Sequence, residues 1–164
     1  FSTHQSPLYP GTGQVGAVGQ GSAKGYTINV PLPPGRGDLE VLQAFERLLV
    51  PVAQRFEPQF ILVSAGFDAH HEDPLGSMTL TAAGFAALTQ RLTELSQEFC
   101  PGRVVASLEG GYNQTALARS VVAVLDALAG RRREEALIAR AAQTDPFIWV
   151  QQAREAAKHY WKLP

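Results

Sequence analysis

Apolar residues recur along this chain with two different periods. Val41, Phe45, Leu48, Val52 and Phe56 follow one another at steps of four and three, the stripe of an amphipathic helix. Asp38 is placed to cap its start, and Pro51 to kink or break it. Phe85, Leu88, Leu92, Leu95 and Phe99 repeat the period and predict a second helix from Thr81 to Phe99, ended by Pro101 and Gly102. Between the two, Phe60–Ser64 is a short apolar run of the kind found in parallel strands buried on both faces, and Arg103–Leu108 (RVVASL) is another. Tyr26–Val30 reads as a third short strand, after which PLPPGRG breaks regular structure. Asn113 can cap a third helix running through Leu128 and stopped by Gly130. A fourth covers Glu134–Ala142, and Asp145-Pro146 opens a fifth, with Asp as cap and Pro as first helical residue. Residues 1–25 are glycine-rich and read as a long irregular segment. Strands alternating with helices predict an α/β fold with a parallel sheet. Three strands are fewer than the five or six of an average sheet.

Composition narrows the function classes. The 164 residues suffice for one domain with its own core. A net charge of −1 offers no basic face, so neither direct nucleic-acid binding nor a membrane surface is expected. The one basic run, Arg131–Arg133, is followed at once by Glu134 and Glu135 and reads as a solvated helix start. Cys100 is the single cysteine, which predicts no internal disulfide and a reducing compartment, the cytoplasm by default. No apolar run approaches the roughly 20 residues that span a bilayer. The chain opens at Phe1 directly in loop chemistry, FSTHQSPLYPGTG, which predicts a piece of something longer.

Candidate chemistry sits where ligands bind in open α/β sheets, beyond the C-terminal ends of the strands. Two loops leave strands there: SAGFDAHHEDPLG and LEGGYN. Asp68 follows its strand closely enough to ligate a divalent metal, or it is a turn or cap aspartate. Tyr112, after two glycines, can swing a hydroxyl over a pocket and donate a hydrogen bond to developing charge, or it is a packed core tyrosine. Glu109 is open to two roles, metal ligand or partner of a backbone amide. His70 and His71 are adjacent, so their side chains diverge. They read as a polar loop with one or both exposed. Asp73-Pro74 reads as a turn, with Leu75 and Met78 as apolar surface.

Taken together, SAGFDAHHEDPLGSMTLT and LEGGYN, preceded by YPGTG and NVPLPPG, resemble the zinc-dependent histone deacetylase family, and within it the class II-type and bacterial deacetylase-like amidohydrolases. The motifs fall in the family's order from Phe1 to about Gly130. The resemblance implies the C-terminal part of a three-layer α/β/α, arginase/deacetylase-type fold. Residues 1–164 would be a partial deacetylase domain, with the resemblance over 1–130 and C-terminal helices over 131–164. It implies Zn²⁺, with Asp68 of the GFD motif as one ligand. Tyr112 of the GGY motif would polarise the substrate carbonyl and stabilise the tetrahedral intermediate. Tyr9, Leu75, Gly110 and Gly111 would line the acyl-lysine tunnel, and Ser2 and Thr3 are candidates for the ligands of a structural K⁺.

The departure from the family pattern is large. The family's other two zinc ligands come from an Asp-X-His motif, and its general base from a His-His pair, both upstream of the segment matching FSTHQ. This sequence has no Asp before Asp38 and no Asp-X-His. Its only His-His pair, His70-His71, lies in the wrong loop. The expectation is therefore half of a zinc amidohydrolase acting on acetyl-lysine, inactive alone. The alternatives are a deacetylase of acetylpolyamines or other small acylamines, and a truncated domain that only binds a partner.

Overall fold

The computed structural model describes residues 1–163. Four short strands form two separate parallel pairs. Strand β1 (Ser2–Gln5) pairs with β2 (Asn29–Leu32), Thr3 opposite Val30. Strand β3 (Ile61–Ala65) pairs with β4 (Val104–Leu108), Val63 opposite Ala106. The helices are α1 (Asp38–Ala44), α2 (Val50–Phe56), α3 (Ala82–Phe99), α4 (Gln114–Leu128), α5 (Glu135–Gln143) and α6 (Ile148–Lys158). The α/β class with parallel strands is as expected.

The differences from expectation have physical causes. Strand β1 lies in the segment read as irregular. Its sequence, STHQ, has neither alternation nor an apolar run, and it becomes a strand only through its ladder with β2. Strand β2 runs on through Pro31, because an edge strand can turn the missing N–H away from its partner. Pro51 neither breaks nor ends its helix. A wide π-helical segment, Phe45–Leu49, joins α1 to α2, and the N–H of Val50 reaches back to the carbonyl of Phe45. A widened turn one turn before a proline relieves the clash its ring makes with the preceding carbonyls. Asp38 is the first residue of α1 rather than its cap. Its carboxylate instead accepts from the N–H (2.9 Å) and hydroxyl (2.7 Å) of Thr81, tying the start of α1 to the start of α3. Helix α6 begins at Ile148, beyond Asp145-Pro146.

The main core lies between β2 and the helices. Val30 and Leu32 meet Phe45, Leu48 and Val52 from one side and Val150 from α6. Full burial of a leucine or valine contributes about 1.5–3 kcal/mol, so this cluster supplies much of the stability. A second cluster joins Leu42, Ala87 and Ile138, which brings α5 onto α1 and α3. Ala86, Ala123 and Ala127 let α3 and α4 approach closely. Each arginine of the basic run is engaged: Arg131 by Asp126, Arg132 by Glu134 and Arg133 by Glu135.

Strands β3 and β4 are not buried on both faces. Leu62 is 78% exposed, and its register partner Val105 is also exposed. No described helix covers that face. Two clefts, about 390 and 700 Å³, separate the strand pairs. Both are lined by Ser2 and Thr3 of β1 on one side and by Val63 and Ser64 of β3 on the other.

Candidate active site

The site is built where the loops after β3 and β4 meet. The ladder continues irregularly past both strand ends: the N–H of Glu109 donates to the carbonyl of Ala65 (3.1 Å), and that of Phe67 to the carbonyl of Gly110 (2.8 Å). This lays Gly110 beside Asp68. A Cβ at Gly110 would stand 2.6 Å from Asp68 Oδ2, so any larger residue there would displace the carboxylate. Gly66, just past the end of β3, backs the same carboxylate, and a Cβ at Gly76 would stand 2.1 Å from the carbonyl oxygen of Asp68. Three glycines therefore crowd around one half-buried aspartate. Gly111, at φ 136°, lies against Phe67 and Leu117 in a conformation that side chains rarely adopt.

Tyr112 follows with its side chain 58% exposed, so it is not a packed core tyrosine. Asn113 caps α4, its Oδ1 accepting from the N–H of Ala116 (3.0 Å), while its Nδ2 donates to the carbonyl of Glu72 (2.9 Å). Glu72 also pairs with Arg119 of α4. The loop after β3 thus grips the start of α4 directly behind Tyr112.

One of the two histidines is exposed, as the polar-loop reading expects, but their side chains do not diverge. His70 is buried and His71 exposed, with rings stacked at 4.3 Å. Burial pushes the pKa of His70 down, and the neighbouring His71 adds to this. His70 Nδ1 accepts from the N–H of Glu72 (3.1 Å), and His71 Nδ1 lies 3.2 Å from the carbonyl of Leu80. Both rings serve the loop's own structure.

Tyr9 is 94% exposed and lines the smaller cleft together with Ser2, Thr3, Asp68 and Glu109. The hydroxyl of Ser2 lies 3.0 Å from His4 Nδ1. Leu75 is exposed, whereas Met78, read as surface, is buried in the main core. The expected site residues fall into two groups: Ser2, Thr3, Tyr9 and Asp68 share the cleft, while Leu75, Gly110, Gly111 and Tyr112 lie outside its lining.

Asp73, read from sequence only as part of a turn, does more. It is 8% exposed, and its carboxylate accepts three backbone N–H bonds, from Tyr112 (2.7 Å), Leu75 (2.9 Å) and Gly76 (3.3 Å). Burial alone would raise its pKa. The N–H groups of Tyr112, Leu75, Gly76 and Asn113 outweigh that and hold it below the ordinary carboxylate value. An Asp-Pro pair carries no sign of a partner far along the chain, so nothing in the sequence could have shown this bond.

The parallel α/β frame thus carries a glycine-crowded aspartate after one strand and a Gly-Gly-Tyr turn after its neighbour. The histone deacetylase domain matches residues 1–128. A chloroplastic histone deacetylase 10 of Oryza sativa subsp. japonica is 44% identical over 99% of this chain and 37% of its own length. A probable deacetylase of Archaeoglobus fulgidus is 46% identical over 79% of this chain and 36% of its own length. Among solved structures, the HDA15 HD domain superposes with a TM-score of 0.80 at 34% identity, covering 98% of this chain and 43% of that one. The chain belongs to the histone deacetylase family, and it spans well under half the length of these relatives.

Proposed function

We propose that the intact protein containing this chain is a zinc-dependent amidohydrolase that removes acetyl groups from lysine side chains. The supporting observation is the meeting of the two loops, which sets the half-buried Asp68 against Gly110, two residues before Tyr112. Zinc, when bound, supplies a Lewis acid for the amide carbonyl and lowers the pKa of a water. Asp68 is one ligand by its chemistry, and the crowding glycines leave its carboxylate free of flanking side chains. Among the described residues no group of three His, Cys, Asp or Glu can hold a metal, so the other donors lie outside them. Tyr112 donates its hydroxyl proton in a hydrogen bond to the carbonyl oxygen as negative charge builds there. Comparable donors lower the barrier by about 3–4 kcal/mol.

We assign the walls around an aliphatic lysine stem ending in a neutral acetamide to Tyr9, which lines the cleft, and to Leu75 and the bare backbone of Gly110 and Gly111, which lie beyond its lining. Ser2 and Thr3 offer oxygen donors to a structural K⁺. Residues 1–130 carry this chain's share of a partial deacetylase domain, and the C-terminal helices of 131–164 pack against it, α5 on α1 and α3 and α6 on the main core. Cys100 is fully buried and unpaired, which suits a reducing compartment such as the cytoplasm. No described helix is long and apolar enough to cross a membrane.

The test uses the intact protein. Asp68→Ala is expected to remove most bound zinc, read by metal analysis, and full occupancy would take Asp68 out of the ligand set. Tyr112→Phe is expected to lower kcat on an acetyl-lysine peptide by on the order of 100-fold with zinc retained. Wild-type turnover in that variant would refute its role. Turnover confined to acetylated polyamines or other small acylamines would move the substrate class. An intact protein without zinc would favour a domain that only binds a partner.

A further inference from the structure

We propose that Asp73 is the positioning residue for Tyr112, a buried carboxylate that sets the tyrosine's backbone against the opposite wall of the site. This deepens the catalytic reading of Tyr112 and rests on it. Two facts make Tyr112 need such a clamp. Gly110 and Gly111 precede it, so the backbone entering Tyr112 has no side chains to hold it. Its own side chain is exposed and so is not fixed by packing. What fixes the residue is its N–H, which donates to Asp73 Oδ2 at 2.7 Å, the shortest of the three bonds that carboxylate accepts.

The same group's other oxygen takes the N–H of Leu75 and of Gly76. One buried anion therefore joins the Leu75 wall to the Tyr112 wall. Hydrogen bonds to an ionised acceptor are about twice as strong as neutral ones, and each is stiff in direction. Only a carboxylate satisfies both sides. An asparagine has one acceptor oxygen, and whichever wall it serves, its NH₂ confronts the N–H of the other. A misplacement of about 1 Å at a reacting group can cost on the order of 100-fold in rate.

The experiment compares wild type, Asp73→Asn, Tyr112→Phe and the double variant in the intact protein. Steady-state kinetics on an acetyl-lysine peptide, zinc content and the hydrogen exchange of the amides in 109–116 are read for each. Asp73→Asn is expected to lower kcat by about 10- to 100-fold, with KM within about twofold and zinc retained. It is expected to cost little further in the Tyr112→Phe background, because its effect passes through the tyrosine hydroxyl. The Tyr112 amide, protected in the wild type, is expected to exchange freely in Asp73→Asn.

Equal loss in both backgrounds would overturn the proposal, since a general structural role is additive. A Tyr112 amide that exchanges freely in the wild type would also overturn it, and that measurement requires no variant to fold. If instead Tyr112→Phe keeps full turnover while the wild-type amide is protected, the catalytic reading of the tyrosine fails, and with it the functional consequence assigned to Asp73.

Discussion

Asp68 and Asp73 share one loop and differ in what surrounds their carboxylates. Around Asp68 stand glycines, which offer no side-chain donors and leave room for a ligand. Around Asp73 stand three backbone N–H groups that use its lone pairs. The first arrangement suits a metal ligand, the second a structural anion. The consequence for pH follows from linkage. The folded pKa of Asp73 lies below the ordinary aspartate value of 3.8, so between the two pKa values the unfolded chain holds more protons. The stability contributed by Asp73 is therefore fully present above its unfolded pKa and is lost as pH falls through the folded one. Unfolding midpoints measured in acid should drop less steeply below pH 3.8 in Asp73→Asn than in wild type. Parallel curves would mean the carboxylate titrates alike in both states.

Among the elements, the junction of α1 and α3 shows how a helix start can be set by a distant partner. Thr81 caps α3, its hydroxyl oxygen accepting the N–H of Gly84 (3.1 Å) while the hydroxyl proton goes to Asp38 (2.7 Å). Thr81→Ala loses both bonds and leaves Asp38 with one partner fewer. It should cost about 1–2 kcal/mol, read as a lowered urea midpoint, with Thr81→Ser recovering most of it. An unchanged midpoint would show that water replaces the cap without loss. This junction also marks how far the sequence could be read. Helix α3 was legible from its apolar stripe, Phe85 to Phe99, and α4 from its cap at Asn113 and its stop at Gly130, because each of these signals is local to its helix. Strand β1 and the true partner of Asp38 were not, because each is decided by a segment tens of residues away. The site divides in the same way. The GFD and GGY motifs put Asp68 and Tyr112 on the loops after β3 and β4, while the bond that Asp73 makes between those loops has no local signature.

For the whole molecule, the unresolved tension is the open face and edge of the β3–β4 pair. Their sequences are those of strands covered on both sides, yet Leu62 is 78% exposed beside Val105, and clefts flank β3 where a neighbouring strand would pair. An apolar face next to unpaired strand edges promotes self-association. The match to relatives of which this chain covers 37% and 36% gives the face an expected cover, the remainder of a family-length polypeptide. Leu62→Lys separates the two situations. In the isolated chain the side chain meets water, so the substitution should leave stability within about 0.5 kcal/mol and lower the aggregated fraction seen by light scattering. In the intact protein the same lysine would be driven under a covering layer without a partner. It should then cost about 2 kcal/mol or more, read from thermal or urea unfolding. Equal tolerance in both would mean that the face stays open in the complete protein, and that its apolar residues await a separate chain.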